Sequence, residues 1–319
     1  MKKIFYIFLV LVFFLNIFFS LFYNLSVLEI VKNINKTEYQ IFTQIRLPRT
    51  IATYFVGAAL AVVGCVLQSL FLNPLCEGYT LGISSCAGIG VVVGMIFNLP
   101  LNKFFSSFLG VILSMLVVFF LVFYFKKTID ISFVLAGIVL NSLFSGIIIL
   151  LTFFFDPYKL HYVLLWLLGS FSSLEPNYVY ISCVIFLCCF IFFIAYSYKL
   201  DIIVLGKDKS TSLGVNEQSV KNLLIFVCIL VLSLCVSLVG IVSFVGIIIP
   251  NIVKALTGLI HKRWFIWSMI SGGIFVSICD NLARNLLYPT EIPISVFTGI
   301  IGSIFFVIYV IKRTHIWKY

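Results

Sequence analysis

Ten times along the chain, close to twenty residues pass with almost no charge, and each run ends at a short polar or proline-containing break. The runs fall at about 4–23, 50–71, 79–98, 106–125, 132–155, 178–198, 222–241, 244–260, 264–287 and 293–311. About twenty apolar residues are what an α-helix needs to cross the hydrocarbon of a bilayer. Inside that layer only helices and closed barrels satisfy their own backbone. The pattern predicts an all-α polytopic membrane protein of about ten transmembrane helices. Composition agrees, with 62% apolar and 10% charged residues among 319, against roughly a quarter charged in soluble domains. The first run follows Lys2-Lys3 but ends in no small-residue cleavage site, so it reads as an uncleaved span.

With the N-terminus inside, 13 of the 21 basic residues fall on inner segments, and the positive-inside rule then places both termini in the cytoplasm. The net charge of +10 is accordingly a topology signal, with no need of a nucleic-acid partner. Nine cysteines form no Cys-x-x-Cys or Cys/His spacing, so they read as small apolar residues and not as a metal site. His161, His261 and His315 are scattered near predicted loops and offer no catalytic set. No phosphate-binding Gly-Lys-Ser/Thr loop occurs. Neither an enzyme nor a cofactor protein is indicated.

Internal order is visible in the arrangement of the spans. Four of them (about 50–155) precede a sixth, and four more (about 222–311) follow the polar loop at about 206–221; each set has an early proline turn, Asn73-Pro74 in one and Pro250-Asn251 in the other. The sets start from opposite sides, which makes an inverted internal repeat within one permease domain covering 1–319. Such repeats are typical of proteins that open a path alternately to each side. Gly57, Ala61, Gly64 and Gln68 advance by four, three and four, forming one stripe of small residues that ends in an amide. Such a stripe faces the bundle interior, and Gln68 is a candidate for the path itself.

Arg46-Leu47-Pro48-Arg49, Gln68, Asn73-Pro74-Leu75, Leu81 to Ser84, Trp166 to Ser170, Leu213-Gly214-Val215, Phe244 to Gly246 with Pro250, Asp280 to Arg284 and Glu291 to Pro293 occur in one order and spacing. In that series the chain resembles the FecCD-type permease subunits of binding-protein-dependent ABC importers for ferric siderophores, haem and cobalamin. It departs from their usual pattern at Gly78, Asn251, Lys254, Ser295 and Ser303-Ile304. The resemblance implies a bacterial plasma-membrane importer with a second permease subunit, identical or paralogous. Two cytoplasmic ABC ATPase subunits would drive it, and an extracytoplasmic binding protein would deliver the ligand. Ferric siderophore is the commonest cargo of this kind, with haem or cobalamin as alternatives.

Three regions carry site expectations. The resemblance makes the loop at 206–221, with Lys207, Leu213, Gly214 and Val215, a coupling helix seated on the ATPase; on composition alone it reads equally as a solvated loop. Arg46, Arg49 and Arg284 lie at predicted outer helix ends, where the resemblance implies glutamates of the binding protein as partners and snorkelling is the plain alternative. Gly137, Asn141 and Ser145 recur every four residues, a polar stripe suited to a path or to helix packing. Asp280 and Arg284, four apart, have the spacing of an intrahelical ion pair, and Glu291 is near enough in sequence to join it. An ion-coupled secondary transporter is the rival reading, with Asp280 as its one intramembrane acid.

Overall fold

The computed structural model describes residues 2–22, 36–81, 83–96, 104–113, 137, 139, 141–147, 149–150 and 165–314. Among the described residues every regular element is helical. We label them α1 (Lys2–Phe22), α2 (Lys36–Gln40), α3 (Leu47–Leu70), α4 (Ile83–Ile96), α5 (Phe104–Leu113), α6 (Pro176–Ile203), α7 (Lys207–Ser212), α8 (Glu217–Val239), α9 (Val245–Thr257), α10 (His261–Asn285) and α11 (Ile294–Thr314). Thr37–Leu70, Pro176–Ile203, Glu217–Val239 and His261–Asn285 are each long and apolar enough to cross a membrane. Much of the runs expected at 106–125 and 132–155 lies outside the described residues.

The sequence places the start of the second apolar run at about residue 50, but the helical path begins at Lys36 and passes through a π-helical segment at Ile41–Arg46. Proline has no N–H to donate and its ring crowds the preceding turn, so an α-helix running into it must break or widen. Here it widens.

Helix α3 is the axis of the fold. From Pro48 to Leu70 only Ile51 and Tyr54 escape full burial, because α6, α8, α9 and α10 cover its sides. The stripe read from the sequence faces two of these neighbours. A Cβ on Gly57 would run into the carbonyl of Gly272 on α10, and one on Gly64 into the carbonyl of Gly246 on α9. Ala61 touches the same Gly272 position from one turn further on. These are backbone-to-backbone approaches that any side chain would forbid, as expected of helices that associate in lipid by close packing.

Helix α9 is about 20 Å long, too short to cross hydrocarbon alone, and Pro250 sits inside it, where the sequence pattern suggests a turn. Having no N–H, Pro250 leaves the Gly246 carbonyl without its helical donor. Gln68 supplies one, its Nε2 donating at 2.9 Å. The Trp264 indole donates to the Pro250 carbonyl at 2.8 Å. Asn251 Nδ2 donates to the carbonyls of Ile247 and Pro74 at 2.7 and 2.8 Å. The two proline segments that the sequence pairs are thus in direct contact. Helices α1, α6 and α11 turn long apolar faces outward, among them Phe8, Leu15, Ile191 and Ile304.

Replacing Gly57 by valine should drive α3 and α10 apart, destabilising the fold by more than the ~1–3 kcal/mol usual for overpacking, since backbone is the obstacle. Gly299, which has open space where a Cβ would sit, should accept valine with little change. Thermal unfolding of the two variants in detergent, followed by size-exclusion chromatography, would check the contrast; equal melting would refute the close approach.

Candidate functional site

Helices α3 and α10 run antiparallel, and a polar cluster marks each end of the pair. Twenty residues separate Arg49 from Ser69, about 30 Å of helix, which matches the thickness of bilayer hydrocarbon. Polar groups therefore gather at the two depths where a membrane stops being apolar.

At one end Arg49, in the first turn of α3, bridges two acids. Its Nη2 lies 2.8 Å and its Nε 3.0 Å from the two carboxylate oxygens of Asp280 on α10. Its Nη1 and Nη2 reach Glu291, before α11, at 2.7 and 3.0 Å. The planar guanidinium suits this fork-to-fork contact. Arg49 and Asp280 are almost fully buried, whereas Glu291 keeps a third of its side chain exposed. Two expectations change here. Asp280 pairs with Arg49 and not with Arg284, whose Nη2 donates instead to Asn281 Oδ1 at 2.6 Å. The i,i+4 spacing was available, but an arginine arriving from α3 could satisfy both acids at once. Arg49 itself points inward, while Arg46 and Arg284 stay partly exposed. Arg46 donates to the Leu21 carbonyl at 3.3 Å and lies within electrostatic range of Arg284.

At the opposite end lies the loop expected at 206–221. It contains the short helix α7, which ends at Ser212, and α8 opens at Glu217 with Asn216 as N-cap, its side chain accepting the Ser219 N–H at 3.1 Å. Val215 and Ser210 are buried and hold the loop to the bundle, and Gly214 takes a positive φ of 73°. Leu213 is 59% exposed, Lys207 is exposed, and Val204 and Leu205 also present apolar surface. Leu259 and Ile260 add more at the same end. Exposed apolar residues ringed by lysines are what a protein-docking surface offers.

The remaining expected positions are placed as follows. Gly137 is buried, Asn141 half-buried and Ser145 exposed, so exposure grows along that stripe. Gln68 is buried and serves the Gly246 carbonyl. Sequence reasoning missed Glu77, which accepts the Phe244 N–H at the start of α9 and lies against Gly246. It also read His261 as an isolated residue near a loop and did not join it to Ser69 and Asp201, which meet it near α7 although 192 and 60 residues separate them from it. Nothing in their local sequence marks them.

The FecCD transport family matches residues 8–313. The molybdate import system permease protein MolB of Haemophilus influenzae is 32% identical over 284 residues, covering 88% of this chain and 84% of that protein. The hemin transport system permease protein HmuU of Yersinia pestis is 28% identical over 285 residues, covering 88% and 85%. Among solved structures, one described as "a putative metal-chelate type ABC transporter" in an inward-facing conformation superposes with a TM-score of 0.86 at 32% identity, covering 95% of this chain and 97% of that one.

Arg49→Met should strand two carboxylates, one of them deeply buried, and cost about 3–5 kcal/mol. Replacing Arg49 and Asp280 together by apolar residues should recover much of that loss. Glu291→Gln should cost far less, since water already reaches its carboxylate. Denaturation of the four proteins in detergent measures the series; a double variant no better than Arg49→Met would mean the two groups do not act as a pair.

Proposed function

Because this chain belongs to the FecCD transport family, as the membrane permease of an ABC importer, we propose that it carries a metal chelate, with ferric siderophore as the first candidate. The observation behind the transport mechanism is the α7 surface. A short helix held by Val215 and Ser210, with Leu213 standing 59% exposed beside it, is suited to insert into a groove on a cytoplasmic ATPase. The metal-chelate type of the similar solved transporter supports the cargo. The names of HmuU, of the vitamin B12 permease BtuC of Yersinia enterocolitica and of MolB keep haem, cobalamin and molybdate as further readings.

In this reading two permease subunits, identical or paralogous, enclose the path, and two ATPase subunits sit under their α7 helices. An extracytoplasmic binding protein docks at the other end of the pair formed by α3 and α10. Arg46 and Arg284 are the arginines placed to receive its carboxylates. Arg49 stands behind them, its charge already engaged by Asp280 and Glu291, and it acts by fixing the rim on which the other two sit. That engagement also weakens the secondary-transporter reading, since both carboxylate oxygens of Asp280 already accept from the Arg49 guanidinium. Gly137, Asn141 and Ser145 supply a weakly polar wall to the path. Gln68 acts on the path indirectly, through α9. Both termini and α7 lie in the cytoplasm of a bacterium whose plasma membrane holds the complex.

Leu213→Glu should leave the amount of folded protein unchanged and abolish uptake. The assay is uptake of radiolabelled ferric hydroxamate, haem and cobalamin in cells lacking the native chain, complemented with wild type or variant; normal uptake by the variant would remove α7 from ATPase contact. The same cells test the cargo: wild type should restore uptake of the ferric hydroxamate, and restoration of haem or cobalamin uptake instead, or of none of the three, would overturn the siderophore reading. Reversing Arg46 and Arg284 to glutamate should slow association of the binding protein, by about tenfold if each rim pair contributes the ~0.2–1 kcal/mol of exposed pairs and repulsion replaces it. Surface plasmon resonance on the reconstituted complex reads that rate, and an unchanged rate would place docking elsewhere.

A further inference from the structure

Where α3, α6 and α10 end beside α7, one side chain from each meets the others. His261 opens α10, and its Nδ1 lies 2.5 Å from Asp201 Oδ1, which also accepts the His261 backbone N–H at 3.2 Å. On its other side Nε2 lies 2.7 Å from the Ser69 hydroxyl of α3. Ser69 and His261 are both 4% exposed, whereas the Asp201 side chain is 40% exposed. The chain of contacts therefore starts in a carboxylate on the last turn of α6, six positions before Lys207 opens α7, and ends inside the core.

These bonds differ in what else supports them. Helices α3 and α10 already touch along their length through Gly57, Ala61 and Gly272, so the Ser69 bond duplicates a contact that packing secures. Among the described long spans helix α6 is the least enclosed, with 22% of its most apolar stretch buried. At its α7 end Asp201 gives it a two-point hold on the first residue of α10. Backbone N–H and ring nitrogen both reach the same carboxylate oxygen, so a shift of Asp201 acts on the direction in which α10 starts as well as on the ring. The ring is held from the remaining sides by Trp264 and Phe265, at 5.6 and 5.8 Å between centroids. It has little room to absorb such a shift by turning.

Building on the permease reading, we propose that Asp201 and His261 are the positioning residues that carry displacement of α7 into the α3–α10 pair. The Asp201–His261 link transmits, and the His261–Ser69 link only orients the ring. Side-chain geometry separates the two. An asparagine amide nitrogen falls where Nδ1 of a histidine lies, and a glutamine amide nitrogen where Nε2 lies. His261→Asn thus keeps the bond to Asp201 and gives up Ser69, while His261→Gln does the reverse.

The test uses the full chain in its complex with ATPase and binding protein, reconstituted in proteoliposomes. ATP hydrolysis is measured with and without the binding protein, and thermal unfolding is measured in parallel. His261→Asn should keep the wild-type ratio of stimulated to basal hydrolysis. In His261→Gln, and in Asp201→Ala, the ratio should fall toward one while basal hydrolysis persists, since a hydrogen bond to a charged group has been lost, an effect of about tenfold or more. A merely structural role predicts instead that Asn and Gln variants lose stability and stimulation together. Wild-type stimulation in His261→Gln or in Asp201→Ala overturns the proposal, and because Asp201 is half-exposed its alanine variant decides the question even if position 261 tolerates no change. A wild-type complex that neither responds to the binding protein nor takes up any chelate would overturn the proposed cargo and partners, and the proposal with them.

Discussion

Everything in this fold is arranged around two helices that touch backbone to backbone. Helices α3 and α10 approach through Gly57 and Gly272 with no side chain between them, and in lipid such contact matters more than burial. Lipid tails are as apolar as leucine, so excluding them gains little, whereas close packing and hydrogen bonds across the seam gain what lipid cannot offer. The seam is built on small residues at its centre and holds a cluster of titratable side chains at each end. Arg49 with Asp280 closes one end and Ser69 with His261 the other. A pair fixed this way cannot slide by a turn without losing both clusters, so the register of the remaining helices is set against it.

Helix α9 shows how one residue shapes its neighbours. Pro250 removes a donor, and the surrounding structure answers with three side chains: Gln68 for the freed carbonyl of Gly246, Trp264 for the carbonyl of Pro250 itself, and Asn251 reaching across to Pro74. The segment is irregular in its sequence and rigid in its bonding. Irregular backbone at membrane depth is tolerated where protein surrounds it, and α9 meets that condition with partners drawn from α3 and α10. A short helix so held can move as one piece with its neighbours more easily than it can bend.

Much of this architecture was legible in the amino-acid order. Span length follows from bilayer thickness and the 1.5 Å rise per residue, and an apolar run is a local feature, so the limits of α3, α8, α10 and α11 fall within a few residues of the apolar runs. The small-residue stripe correctly announced an interior face. What it faced was not legible, because a stripe names a surface and not the surface opposite. The partner of Asp280 was misread for a related reason. Spacing along one helix makes Arg284 available, but the choice between two arginines depends on which helix packs alongside. His261 looked like an ordinary interfacial residue since its two partners lie far off in sequence. The π-helical entry before Pro48 followed from a rule about proline that predicts disturbance without saying whether the helix breaks or widens.

The cluster around Arg49 sets two carboxyl groups against one guanidinium, with Arg49 and Asp280 sealed from water and Glu291 a third exposed. Arg46 and Arg284 lie outside the seal. Dissolved ions screen charges in water beyond roughly 8 Å at physiological strength and barely reach buried ones. Added salt should therefore act on this end of the molecule in two distinct ways. It weakens whatever the outer arginines attract and leaves the buried pair of Arg49 and Asp280 nearly untouched. The same few residues thus provide a surface that responds to its surroundings and a fastening that does not.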